Sequence, residues 1–138
     1  MGSILNYFYD DKGSYNVEML WRISRHKKIR HIDSEDLIPH IRHRLWGDNI
    51  RSPLGIINTP AVDLNDEEMD HLKRVFRANL NYPILLYEND ITSEYFIVDG
   101  VHRVIKSILF DIDYIKYVQI TDNNLRRSFV GSVNYNVR

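Results

Sequence analysis

A change of period at residue 100 constrains this chain more than any other feature. Upstream, residues 83–87 (Pro-Ile-Leu-Leu-Tyr) and 95–98 (Tyr-Phe-Ile-Val) are short continuous apolar runs, separated by a polar stretch at 88–94. Runs of this kind, bounded by turn residues, read as the strands of a β-hairpin, and their unbroken apolarity predicts cover on both faces. Downstream, Val101, Val104, Ile105, Ile108 and Leu109 recur at i, i+3, i+4, i+7 and i+8. That is a helix with one buried stripe. Asp99-Gly100 by itself would suit another hairpin turn, but the period decides for strand, turn, helix. With a further strand at 114–120, the chain has to pack helices on a sheet, and the fold class is α+β.

The rest of the chain fits that frame. A second helix is predicted over 65–80. Asn65 and Glu68 stand at the spacing of a capping box, acids load its first turn, and Lys73, Arg74 and Arg77 load its end. Met69, Leu72, Val75, Phe76 and Leu80 form its core-facing stripe. A shorter helix is expected from Asn16, with Val17, Leu20 and Trp21 on one side, and a short strand at 29–32. The stretch 4–9 is rich in aromatic residues and ends at a turn-like 10–13. Residues 39–62 hold Pro39, Pro53 and Pro60 and read as a long connection with at most short helical turns. Asp122-Asn123-Asn124 is expected to break the chain. The alternation of Phe129, Gly131, Val133, Tyr135 and Val137 then suggests a last edge strand.

Composition narrows the function classes. The chain has 138 residues, a length that suits one compact domain, and no cysteine, which excludes disulfides, thiolate metal sites and cysteine nucleophiles. Its net charge is −1, so any attraction to nucleic acid has to be local. No apolar run approaches the roughly 18 residues of a spanning helix, and no signal-peptide pattern opens the sequence. The expectation is a soluble cytoplasmic protein without a membrane partner.

Chemistry shows itself in residues 99–106, Asp-Gly-Val-His-Arg-Val-Ile-Lys. A helix N-terminus presents unpaired N–H groups and partial positive charge, which attract anions. His102, Arg103 and Lys106 add cationic or proton-donating groups to that end, the wrong sign for helix stability alone. Gly100 would admit a ligand close to the backbone. A phosphate held by the Gly100, Val101 and His102 N–H groups, with Arg103 as a fork and Lys106 as a point charge, would reverse the cost. Solvated surface groups beside a simple N-cap are the bland alternative.

The segment Val98-Asp99-Gly100-Val101-His102-Arg103, between a hairpin and an amphipathic helix, resembles the ParB/sulfiredoxin-like superfamily. Residues 32–39 resemble that superfamily's first box, and the helix at 65–80 leading into Pro83-Ile84 resembles its next segment. The resemblance covers roughly residues 29–121. It implies a mixed β-sheet flanked by helices, with 1–28 as an N-terminal helical extension and 122–138 as a C-terminal extension that holds the expected edge strand. Val101 stands where sulfiredoxin carries its catalytic cysteine, so that reaction is excluded. The Asp-Gly-x-His-Arg segment is closer to the single-domain branch that includes the free-serine kinases. This implies a nucleotide, ATP or a related triphosphate, bound for phosphoryl transfer or hydrolysis. His102 would serve as hydrogen-bond or proton donor, Asp99 as a Mg²⁺ ligand or as the group orienting His102, and Glu35 as general base.

Other readings stay open. Residues 21–51 hold eight Lys/Arg against four Asp/Glu, so the 22–44 region is a candidate nucleic-acid or protein contact in a non-catalytic module. A ParB-like nuclease would need a carboxylate cluster around Asp99. His40-x-x-His43, with Asp36 or Asp48, has the spacing of a metal site. Mg²⁺ carried by a nucleotide needs fewer protein ligands. Arg126-Arg127 reads as surface charge.

Overall fold

The computed structural model describes residues 7–9, 13–89 and 91–132. In chain order the elements are β1 (Tyr7–Tyr9), β2 (Gly13–Asn16), α1 (Val17–Ser24), β3 (Arg30–Asp33), a 3-10 helix (Ser34–Ile41), α2 (Pro53–Ile57), a second 3-10 turn (Ala61–Asp63), α3 (Asp66–Arg77), β4 (Ile84–Glu88), β5 (Tyr95–Asp99), α4 (Val101–Leu109), β6 (Tyr114–Ile120), α5 (Asp122–Ser128) and β7 (Phe129–Ser132). Helices and two sheets together make the α+β class expected from the period change. The described residues fall into two compact units, one formed by the chain up to 28 with 85–99 and 118 onward, the other by 29–84 with 100–117.

In the first unit β2 lies between β1 and β7, antiparallel to both. The hairpin β4–β5 pairs Leu86 with Ile97 and Tyr87 with Phe96. Tyr15, Val17, Leu20, Leu85, Tyr87, Val98, Val118, Ile120 and Leu125 form its core, with Trp21 packed against them. The expectation of cover on both faces holds for β4, whose Ile84 to Leu86 are fully buried, but not for β5, where Phe96 is exposed. Helix α1 starts where expected, its Asn16 side chain accepting from the Met19 N–H. Several elements were not anticipated, β1 and the Ser34–Ile41 3-10 helix among them. Gly13–Asn16 is a strand through its two partners, and Asp122-Asn123-Asn124 opens a helix instead of breaking the chain. Thr121 and Asn124 cap α5 reciprocally. Of the expected edge strand, β7 is present, while Val133, Tyr135 and Val137 lie outside the described residues, as do residues 4–6 and 10–12.

In the second unit β3 pairs antiparallel with the first half of β6, Ile32 opposite Ile115, both buried. The 39–62 connection holds only the short helical turns expected of it. α3 and α4 pack on one another and, with α2 and the 3-10 helix, enclose Leu37, Ile41, Ile56, Val75, Val104 and Ile105. The capping box of α3 is complete. Glu68 also accepts from Arg51, through its backbone N–H and its guanidinium, both at 2.7 Å. These bonds hold the buried Glu68 carboxyl below the usual carboxylate range, the backbone donations from Asn65 and Arg51 foremost. The predicted stripe of α3 needs two corrections, the first being that α3 ends at Arg77 and leaves Leu80 outside the helix. Val75 is buried, but Phe76 is exposed and meets Phe110 edge to face at 6.0 Å.

Candidate functional site at the start of helix α4

Gly100 opens α4 at φ +105°, and no side chain caps the helix. Only glycine adopts that backbone without penalty. Packing gives a second reason, because a Cβ there would lie 2.5 Å from Ile84 Cγ2 and 2.8 Å from Ile84 Cβ. The glycine therefore admits Ile84, whatever it also does for a ligand. The Arg103 and Val104 N–H groups donate to the Gly100 carbonyl. Those of Val101 and His102 belong to the first-turn set for which a helix has no internal acceptor.

His102, in the first turn, meets His71 of α3. Its Nε2 lies 2.9 Å from His71 Nδ1, and the two rings are within 13° of parallel. Trp46, from the 39–62 connection, stacks on His71 at 3.6 Å between centroids and reaches the His102 ring at 5.3 Å. The two imidazoles thus meet edge to edge beneath one indole. One nitrogen of the contact donates and the other accepts, so at least one ring is neutral. Burial above all, then the neighbouring His71, Arg74 and Arg103, pushes the His102 imidazole down to about 4. Burial also lowers His71, with Arg74 adding to the effect and Asp70 and Glu67 opposing it. At neutral pH the pair is uncharged, and His102 Nδ1 carries the donor hydrogen in the tautomer whose Nε2 accepts from His71 Nδ1–H.

The remaining site residues are placed as follows. The Arg103 guanidinium donates to the Pro83 carbonyl at 3.3 Å. Lys106 lies in the last turn of α4, and its Nζ donates to the Phe76 and Ala78 carbonyls at 2.9 and 2.7 Å. It closes the C-terminal end of α3, where the macrodipole favours a cation. Asp99 belongs to the first unit and accepts from Trp21 Nε1 through Oδ2 at 2.7 Å. Glu35 is exposed in the first turn of the Ser34–Ile41 helix. No hydrogen bond among the described residues links its carboxylate to His102 or Arg103.

The structure thus brings Gly100, Val101, His102 and Arg103 together and adds His71 and Trp46, which the sequence reading passed over. A large aromatic in an otherwise polar connection was the one signal for Trp46. Among the described residues no group of three or more His, Asp or Glu is arranged to hold a metal ion, and His40 and His43 are no exception. Two surface clefts lie elsewhere. One of about 390 Å³ is lined by Arg44, Arg51 and Glu68, and one of about 650 Å³ in the first unit by Tyr87, Asp122 and Phe129. No helix among the described residues is long and apolar enough to cross a membrane.

Comparison with known proteins finds no family model, no curated protein and no solved structure that matches the chain.

Proposed function

We propose that the chain binds a nucleotide by its phosphates at the start of α4 and transfers or hydrolyses a phosphoryl group there, as its resemblance to the ParB/sulfiredoxin-like superfamily implies. The observation that carries this reading is the start of α4 on a left-handed glycine with no side-chain cap, with His102 and Arg103 in the same turn. Backbone N–H groups of Val101 and His102 would receive phosphate oxygens, and Arg103 would supply the fixed positive charge. Catalysis of this kind is largely positioning and electrostatics, so few donors suffice.

His102, held neutral against His71, would donate a hydrogen bond to a phosphate oxygen. In transfer, a new P–O bond forms to the acceptor oxygen as the leaving P–O bond breaks, and the acceptor's proton passes to a base. Glu35 is the proposed base, on a helix that packs against α4. Among the described residues none build a metal cage, and Asp99 already accepts from Trp21. Mg²⁺ would therefore arrive on the nucleotide. Lys106 has a structural role at the end of α3 and leaves the donor set.

Thermal unfolding with ATP, ADP, CTP or GTP, each with and without Mg²⁺, tests the reading. A nucleotide at about 100 times its Kd stabilises by roughly 2.7 kcal/mol, on the order of 5–10 °C in a domain of this size. The shift should vanish in Arg103→Ala, measured against that variant's own unliganded midpoint. A cooperative transition that no nucleotide moves overturns the proposal.

A further inference from the structure

The first unit carries a second candidate site, independent of the one at α4. Its cleft of about 650 Å³ is lined by Phe129, by the buried Tyr15 and Tyr87, and by Asn89, Asp122 and Arg126, of which Asp122 accepts from the Tyr87 hydroxyl and Asn89 from the Ile91 and Thr92 N–H groups. Phe129 is about half exposed and meets Tyr15 edge to face at 5.6 Å, so its own ring is held in place. A half-exposed aromatic ring beside an exposed guanidinium suits a planar ligand with polar edges. A nucleobase has that form, stacking by its faces and hydrogen-bonding by its rim.

The cationic surroundings name the rest of the ligand. Between Arg22 and Lys28 the chain has no acid, and Arg22, Arg25 and Lys28 are exposed without an ion pair among the described residues. Arg126 and Arg127 on α5 are exposed in the same way. The cation between them turns inward. Lys27 Nζ donates to the Gln119 carbonyl at 3.0 Å and to Asn124 Oδ1. That bond ties the end of α1 to the first turn of α5, and the two helices pack together. The Arg22–Lys28 run and the Arg126–Arg127 pair thus belong to, or directly follow, one packed pair of helices. The dipole of α1 accounts for Arg22 in its last turn. It does not account for Lys28, which lies beyond the helix, or for the pair on α5. Arginines predominate, and their forked donors fit phosphodiester oxygens.

We propose that this unit binds single-stranded nucleic acid, one base entering the cleft against Phe129 and the flanking phosphates lying along Arg126, Arg127 and the Arg22–Lys28 run. Stacking on an aromatic ring together with a positive track is how single strands are held without sequence preference.

A fluorescein-labelled oligothymidylate 20-mer, titrated with the full chain and followed by anisotropy, tests this. Binding should weaken by roughly 50-fold between 50 and 200 mM salt, as expected for about four neutralised phosphates. Arg126→Gln/Arg127→Gln should flatten the salt slope. Phe129→Leu, which keeps the apolar contact with Tyr15, should weaken binding about fivefold at every salt concentration and leave the slope unchanged. Arg103→Ala should bind the oligonucleotide as wild type does, which separates this site from the nucleotide site at α4. No binding at 50 mM salt overturns the proposal. So does a duplex bound more tightly than the single strand, full affinity in both cleft variants, or attachment to phosphatidylserine vesicles without attachment to the oligonucleotide.

Discussion

His71 Nδ1 and His102 Nε2 meet at 2.9 Å, 31 residues apart in the chain, with the indole of Trp46 laid across both rings. This contact joins α3 to the first turn of α4, the turn that would face a phosphate. It also fixes which ring atom of His102 is left for a ligand, because Nε2 is already engaged and only Nδ1 remains.

The pair makes stability depend on pH. His102 has a folded pKa of about 4, below the ordinary value of 6.5, and that of His71 is lowered too. The folded state then resists protons that the unfolded chain takes up. Stability is at its full value above pH 6.5 and falls as the pH drops from 6.5 toward 4. Both rings keep some contact with water, so the loss is on the order of 1 kcal/mol, or about 3 °C in Tm. Melting curves from pH 7.5 to 4.5 should show this decline, and His102→Gln should flatten it.

Two glycines in the second unit have nearly the same positive φ and opposite surroundings. Gly47, at φ +116°, has nothing within 4 Å of the place a Cβ would take, whereas Gly100 has Ile84 there. Gly47→Ala should cost only the left-handed penalty of about 1 kcal/mol. Gly100→Ala adds overpacking and should cost roughly 2–4 kcal/mol. Ile84→Ala should destabilise the wild type yet recover part of the loss in Gly100→Ala, a non-additivity that denaturant titrations can measure.

Lys106→Met should destabilise by about 1–2 kcal/mol, because two carbonyls at the end of α3 lose their charged donor. The shift in Tm produced by any nucleotide that binds should stay as in wild type. A variant that kept its stability but lost the nucleotide shift would return Lys106 to the phosphate site.

Ser24 is buried in α1, and its hydroxyl has no hydrogen-bond partner among the described residues. An unsatisfied buried hydroxyl opposes folding. Ser24→Ala should therefore raise stability by up to about 1 kcal/mol, a rare sign for a core substitution, and urea unfolding would show it.

What was legible in the sequence is what local chemistry writes there. α3 announces itself through Asn65, Glu68 and its graded charges, and α4 through its apolar period after Gly100. What was illegible depends on distant partners. Gly13–Asn16 is a strand because β1 and β7 flank it, and a four-residue segment carries no period that reveals this. Asn124 belongs to a turn-forming triplet, yet turn formers are also cap formers, and Thr121 three residues earlier was the missed clue. At the site, Gly100, His102 and Arg103 stood in one motif. His71 lay hidden in the apolar side of α3, and only the packing of α3 on α4 shows what it meets. Lys106 stands on the polar side of α4, and only the packing on α3 shows that its charge goes to the Phe76 and Ala78 carbonyls.

Each compact unit contains one of the chain's two tryptophans. Trp21 donates to Asp99 in the first unit, and Trp46 covers the histidine pair in the second. The molecule therefore carries a native emitter in each half, and removing either indole isolates the other. Trp21→Phe leaves a fluorophore stacked on imidazoles, where quenching would follow their protonation without any attached dye. Trp46→Phe leaves one that senses the hydrophobic core around Leu20 and Val98. Unfolding curves from the two variants would show whether the halves lose their order at one denaturant concentration or at two.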